Sequence, residues 1–492
     1  MGKGIQKDTE DHEGSQRPCG AADKAAGPRR AGREAKEKEP GINDCDLFRI
    51  IELCFPGLPR ALDGMRDFRR ADRVVYSISE LVMPCIVERI MGNTSGRQHD
   101  LDKYEEAFID NMRRLSGGGM ERLPHSDTIK YFLEREPPER LAAVLREMMR
   151  CLVRKKRLYG MRFQTAGGSS VFRVALDAVH YFTSLAPLEH STHRTRSDGR
   201  TEYMLTALVL SLVSPDGVRL PFMVEFIENP DGEYVKQDCE LKAAGRLLAR
   251  LADAFPKLHV MLLMDGLYLC GDIIETCRRN GWDFSVTVTD HVPAFKAKAE
   301  DALKHRGCHA EGGDGKTGLR RKVRWCNKVE HTFGGTKASL NVMKMETCNS
   351  EGDDVVLFYA TSVFLHREEE KALRLLDEAC RARWQIEESF LVQKHHGLEL
   401  EAPVGTRKFA GQNYFLVVQI ADVIRTFMLH TDLFRKLQRH ASPDRIKEVI
   451  HRPMLEWYGT LGNLVRRLNR AMLTRRMGTE DISKWRLYYD TA

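Results

Sequence analysis

Hydrophobic positions change their spacing as the chain proceeds. From Asp44 to about Leu158 they recur at three and four, the period of helices with one buried face; 46–53, 77–91, 102–115 and 138–154 are the clearest cases. Ser126-Asp127 supplies side-chain oxygens that cap a helix start, which predicts a further helix carrying Ile129, Phe132 and Leu133. The run Gly117-Gly118-Gly119 reads as a loop. Residues 43–168 are therefore expected to form a helical N-terminal domain, a candidate for DNA binding. At Ser170 the pattern changes to strands, over 171–177, 203–213 and 218–227, the last two joined by the turn Ser214-Pro215-Asp216-Gly217. A helix is predicted over 238–254. The run 258–264, apolar except for His259, has the character of a strand buried on both faces. A helix over 271–280 and a strand over 284–288 follow.

This order, three strands followed by alternating helices and strands, is that of the ribonuclease-H-like fold. The predicted class is α/β, with the core beginning at 169–306. Residues 307–362 interrupt it with a loop at 312–318 and four strand-like runs, 322–326, 328–333, 340–346 and 355–361; a β-rich insertion is expected. The core resumes over 363–400 with a long helix at 368–396. Residues 401–492 are helical and arginine-rich.

Composition narrows the function classes. With 492 residues, 77 basic and 70 acidic, the net charge is +7, which permits a polyanionic partner without demanding one. No apolar run approaches the roughly 18–20 residues needed to span a bilayer, so no membrane partner is expected. The first residues lack the apolar stretch of a signal peptide, and Gln6 stands where a myristoylation signal has Ser or Thr. The 12 cysteines are scattered with no Cys-x-x-Cys pair; Cys54, Cys85, Cys270 and Cys277 read as reduced, buried side chains of a cytosolic protein. Residues 1–42 hold nine basic and eight acidic residues and almost no large apolar ones, so a disordered tail is expected. Its balanced charge argues against a dedicated DNA-binding arm.

Two aspartates carry the chemical argument. Asp177 is expected at the end of the first strand and Asp265 directly after the fourth. Each alone would read as a cap or turn residue. In the predicted order, however, the first and fourth strands are neighbours, which brings the two together. Unpaired carboxylates held close repel, and a hard divalent cation resolves the conflict, magnesium or manganese in preference to zinc. A pair of such ions suits phosphoryl transfer, but that needs a third carboxylate. On the late helix, at about 100° per residue, Glu387 lies about 40° from Arg383 and Lys394 about 20° from Glu387. One stripe thus presents a carboxylate between two cations, with Ile386 and Phe390 beside it. A solvated Arg383–Glu387 pair is the plainer account of that stripe taken alone.

The stretch from Cys380 resembles the Y-(2)-R-(3)-E-(6)-K signature of bacterial insertion-sequence DDE transposases: Arg383-Trp384, Ile386-Glu387, Phe390, Lys394 and Gly397-Leu398-Glu399 all match. Val174-Ala175-Leu176-Asp177 is similar to that family's first catalytic segment, and Leu263-Met264-Asp265-Gly266 to its second. The resemblance covers about residues 170–400. It implies a DNA transposase in which Asp177, Asp265 and Glu387 are catalytic and hold two Mg or Mn ions, while Arg383 and Lys394 contact DNA phosphates. It also implies double-stranded DNA partners (terminal inverted repeats and target DNA), a homodimer in the DNA complex, and a cytoplasmic, nucleoid-associated location in a bacterium. The departure is Cys380 where the signature has Tyr, a residue associated in the family with a phosphate contact; it bears on any hairpin-forming step.

Weaker features complete the reading. Arg320, Arg321, Lys322 and Arg324, with Lys316, form the densest basic patch; alternation on a strand would give one positive face for DNA, and Trp325 could stack on an extruded base, although a core aromatic is the better default. Arg154-Lys155-Lys156-Arg157 reads equally as a solvated helix end or a phosphate contact. Asp238 is expected as a cap, Glu240 as a possible neighbour of the site, and His180 either near it or on the sheet face. Alternatives to a transposase are a ribonuclease-H-like structure-selective DNA nuclease and a transposase-derived DNA-binding protein. A glycosidase with paired carboxylates explains neither Arg383 nor Lys394.

Overall fold

The computed structural model describes residues 43–229, 238–314, 318–348, 352–402, 405, 407–437 and 454–487; the tail 1–42 and Lys316 lie outside the described residues. Alternating and all-apolar runs form eleven strands among them. These are β1 (Arg162–Gln164), β2 (Ser170–Ser184), β3 (Thr192–Thr195), β4 (Thr201–Val213), β5 (Arg219–Ile227), β6 (Val260–Met264), β7 (Asp283–Thr287), β8 (Cys308–Gly313), β9 (Arg320–Phe333), β10 (Thr336–Cys348) and β11 (Asp354–Thr361). All join one sheet in the order β3-β4-β2-β6-β7-β11-β10-β9-β8, with β1 beside β2 and β5 beside β4.

The core of the sheet follows from its most apolar strand. Every residue of β6, Val-Met-Leu-Leu-Met, is buried, as suits a strand covered on both faces. It runs parallel to β2 on one side and to β7 on the other. The helices Glu240–Ala254 and Gly271–Asn280 make the two crossovers. β4 lies antiparallel to β2, and β5 antiparallel to β4. The first and fourth predicted strands are thus neighbours.

Three expectations change. β2 does not stop at Asp177; it continues to Ser184, because β4 pairs with it as far as Tyr203↔Ser184. What ends beside Asp177 is the neighbouring β6. Next, the insertion is not a separate layer. β11 pairs antiparallel with β7, so β8–β11 extend the same sheet. The runs 322–326 and 328–333 are one strand, β9, irregular where Lys328 takes a φ of 60° and the register with β10 slips between Leu340 and Val342. Finally, the helix predicted over 368–396 is broken into Glu369–Glu378, a 3-10 turn Cys380–Arg383, and Trp384–His395. The buried Arg173 of β2 donates to the Glu378 carbonyl at the break, taking up one of the carbonyls a helix end leaves unpaired.

The helical flanks pack together. Ser77 and Glu80 form a reciprocal capping box that starts Ile78–Ile90. His125, and not Ser126-Asp127, caps Ser126–Arg135. These helices and Pro138–Arg154 pack on Ala410–Leu429, which is buried along nearly its whole length and also meets β5. Met454–Thr474 packs on Glu106–Ser116. The described residues belong to one compact unit. Among them no helix is long and apolar enough to cross a membrane.

Candidate active site

The register of the parallel strands places the two aspartates. Phe172 pairs with Val260 and Ala175 with Leu263, a constant offset of 88 residues (260 − 172). The same offset separates Asp177 from Asp265 (265 − 177 = 88). Asp265 is the first residue past β6 and keeps an extended backbone, φ −82° and ψ 177°. Residues level with each other in adjacent strands project to the same face, so the two carboxylates leave the sheet side by side. On the far side, Met261 pairs with Asp283, an offset of 22 that brings Thr287 level with Asp265, and Thr287 pairs with Tyr359. One row thus runs Asp177, Asp265, Thr287, Tyr359. Asp265 also caps the turn Gly266–Tyr268, accepting from the Leu267 amide at 2.9 Å. The cap and site readings therefore coexist. Gly266 is required there: a Cβ would lie 2.4 Å from the Thr289 hydroxyl.

Glu387 reaches this row through Arg383. Arg383 ends the 3-10 turn and precedes the first helical residue, Trp384, so Glu387 stands one turn along. The buried Arg383 guanidinium donates Nη2 to Glu387 Oε1 at 2.7 Å and lies with Nη1 3.4 Å from Asp177 Oδ2. Its Nε has no acceptor among the described residues. Trp384, 47% exposed, places its ring 4.9 Å from the guanidinium carbon. Burial pushes the Asp177 carboxyl up to about 7. Arg383 and the Ala178 amide oppose the rise, and the nearby Glu387 and Asp265 carboxylates add to it. Glu240 accepts from the Tyr268 hydroxyl at 2.5 Å. Burial raises its carboxyl above the usual range, Tyr268 lowers it, and Asp265 raises it again. Glu240 is thus a fourth acid, near Asp265.

Residues 238–402 match the family model of the transposase DDE domain. The matched segment carries Asp265, Arg383, Glu387 and Lys394 and begins after Asp177. No curated protein sequence matches this chain. Among solved structures, the chain is similar to the piggyBac transposase in a synaptic complex with hairpin DNA, at 7% identity and a TM-score of 0.38, covering 90% of this chain and 87% of that one.

Asp177, Asp265 and Glu387 are the donors that a metal would meet here. Among the described residues no three His, Cys, Asp or Glu side chains converge on one metal-sized centre. Asp177 and Glu387 meet at Arg383, and Asp265 stands beside Asp177. The donors are all carboxylate oxygens, the kind hard divalent ions take, and a guanidinium now supplies positive charge between two of them. The residues present fit such an ion in chemistry.

Other predicted residues have partners that the sequence did not show. Lys394 pairs with Glu401 at 2.8 Å, not with Glu387. The basic strand splits by face. Arg320, Lys322 and Arg324 alternate outward, but each faces an acid from a neighbouring strand: Glu311 for the first two, Glu346 for Arg324. Arg321 points to the buried side and holds Asp377 at 2.6 Å. Trp325 is 1% exposed and donates its indole N–H to the His366 carbonyl at 2.9 Å, so it is a core residue and not a base-stacking one. Asp238 does not cap; Cys239 holds that position, and Asp238 pairs with Arg246 at 2.6 Å. His180 bonds Thr206 at 2.7 Å; burial, then Arg194 and Lys394, hold its ring below the usual range. Cys380 is buried, and burial pushes its thiol up to about 12. Sequence reasoning missed Arg173, although a lone arginine within Ser-Val-Phe-Arg-Val-Ala-Leu-Asp was a visible signal. It had no means of finding Tyr359, whose place depends on the register of β11.

Proposed function

We propose that the protein is a DNA transposase of the bacterial insertion-sequence DDE class, built on a ribonuclease-H-like core. It cuts the ends of its element and joins them to target DNA by phosphoryl transfer. The observation that carries this reading is the row that sets Asp177 beside Asp265, with Arg383 tying Asp177 to Glu387. The family match over 238–402 supports it. The strand arrangement third-second-first-fourth-fifth, from β5 to β7, supports the assignment of the core.

Asp177, Asp265 and Glu387 would hold two Mg or Mn ions, which when bound supply Lewis-acid activation and charge stabilisation at the attacking and leaving oxygens. The chain's own side chains do the rest. Arg383 fixes the spacing of Asp177 and Glu387 and keeps Nε free for a phosphate oxygen. Lys394 exchanges Glu401 for the DNA backbone. Positioning and fixed charge then account for most of the rate. Cys380, buried and protonated, offers no phosphate contact, so no hairpin step is assigned. The partners in this reading are the terminal repeats, target duplex and a second copy of the chain, at a bacterial nucleoid.

The test uses the full chain, Mg or Mn, and duplex DNA carrying the sequences that flank its gene. The wild type is expected to cut and join. Asp177→Asn, Asp265→Asn and Glu387→Gln should each remove cleavage and leave end binding in place. A variant that still cuts strikes its residue from the site. Cutting without joining in a strand-transfer assay leaves the nuclease reading in its place.

A further inference from the structure

Far along the chain from the acid row, a small cavity opens between the N-terminal helices and Ala410–Leu429. It encloses about 40 Å3 and is lined by Arg89, Glu88, His99, Thr94, Ser95 and Tyr414, among others. Arg89 is 6% exposed, yet neither its Nε nor its Nη1 has an acceptor among the described residues. Its contact is the face of the Tyr414 ring, 4.5 Å from the guanidinium carbon. The other buried arginines among the described residues, Arg49, Arg173, Arg321, Arg383 and Arg425, each donate to a carboxylate or a carbonyl. A buried guanidinium with two of its nitrogens left without acceptors is the costly exception, because lost hydration is not replaced.

The neighbouring acid does not neutralise it. Glu88 Oε1 lies 2.6 Å from His99 Nδ1, and His99 Nε2 lies 2.7 Å from the Pro124 carbonyl. A carbonyl only accepts, so Nε2 carries a proton; an ionised carboxylate also only accepts, so Nδ1 carries another. His99 is then a cation that offsets Glu88, and Arg89 leaves the cavity with one net positive charge. Its size is several times the roughly 10–15 Å3 that a water requires, and far below the roughly 300 Å3 of a pocket for a drug-sized ligand.

We propose that this cavity binds a small tetrahedral oxyanion of the phosphate class, seated on a guanidinium edge of Arg89, with the hydroxyls of Thr94 and Ser95 at its rim. Each outer edge of a guanidinium, Nε with Nη2 or Nη1 with Nη2, presents two parallel N–H groups to two oxygens of such an anion, and each of these edges of Arg89 holds one nitrogen without an acceptor among the described residues. Tyr414, beneath Arg89, donates its hydroxyl to the Glu399 carbonyl at 2.5 Å, so the seat adjoins the segment that follows the Glu387 helix. The proposal is independent of the transposase reading.

The experiment compares thermal unfolding of the full chain in potassium phosphate and in potassium chloride of equal ionic strength. Phosphate is expected to raise Tm saturably in the wild type. Arg89→Met, similar in length and uncharged, should weaken the apparent phosphate affinity roughly tenfold or more. No phosphate-specific rise in the wild type, or an equal rise in Arg89→Met, overturns the proposal. Should that variant fail to fold, wild-type crystals soaked in selenate give the answer. An anomalous peak within hydrogen-bond reach of Arg89 supports the site, and its absence there overturns it. Saturating duplex DNA separates two sources of the same chemistry: free phosphate keeps its effect, whereas a DNA backbone phosphate on Arg89 would abolish it.

Discussion

Arg383 decides how the acids are spaced. Its two terminal nitrogens hold carboxylates that lie 210 residues apart in the chain (387 − 177). A lysine has the charge but not the planar fork that reaches two partners at once. Arg383→Lys is therefore expected to lower single-turnover cleavage by about 10²-fold, with little change in DNA binding at low salt; full activity in this variant would remove the bridging role. At this scale the sequence was informative where spacing is local. The four-residue step from Arg383 to Glu387 gave a contact because a helix enforces it. The Asp177–Asp265 neighbourhood was legible because the strand order implied it. In the basic run 320–324 the outward alternation of Arg320, Lys322 and Arg324 was legible; the acids that face them, Glu311 and Glu346, were not, because they come from flanking strands whose register a single sequence does not reveal.

Elements owe their ends to distant partners. The pattern over 368–396 is helical throughout, yet Arg173 captures the carbonyl of Glu378 and Arg381 turns to Asp314 and Asp377, so the helix breaks before Arg383. Arg321, from β9, joins the same group. Arg321→Met removes one of the cations that hold Asp377 and the buried Asp314, and should cost about 3 kcal/mol in urea unfolding; an unchanged midpoint would show that the group is not structural. A second close approach joins the helix Gly271–Asn280 to the hairpin of β9 and β10. A Cβ at Gly271 would lie 2.3 Å from the Phe333 carbonyl, a backbone atom with little freedom to withdraw. Gly271→Ala is expected to lower stability by roughly 1–3 kcal/mol, read as a drop in Tm. An alanine tolerated at no cost would mean the hairpin can shift. Strand existence was readable from period and turn residues; that β9 is one strand and β11 a neighbour of β7 was not, because both depend on pairing across dozens of residues.

On the scale of the molecule, the two helical flanks and the sheet form one body, so a local titration is felt globally. Burial alone would lower the His99 ring, but Glu88 and the Pro124 carbonyl outweigh it and the folded value stands above the unfolded value of about 6.5. A raised value means the contribution is complete below the unfolded pKa and fades as pH climbs through the folded one. The stability advantage of the wild type over His99→Gln should thus be largest near pH 6 and shrink towards pH 9 in urea unfolding; an advantage that grows with pH would contradict the pairing. The row across β2, β6, β7 and β11 also has a consequence in time. A ribosome adding roughly 5–20 residues per second releases Asp177 about 10–40 s before Glu387, so a nascent or prematurely terminated chain carries the first acid without the last. Such a fragment lacks the acid that Arg383 ties to Asp177, and the row is completed only when Glu387 has emerged.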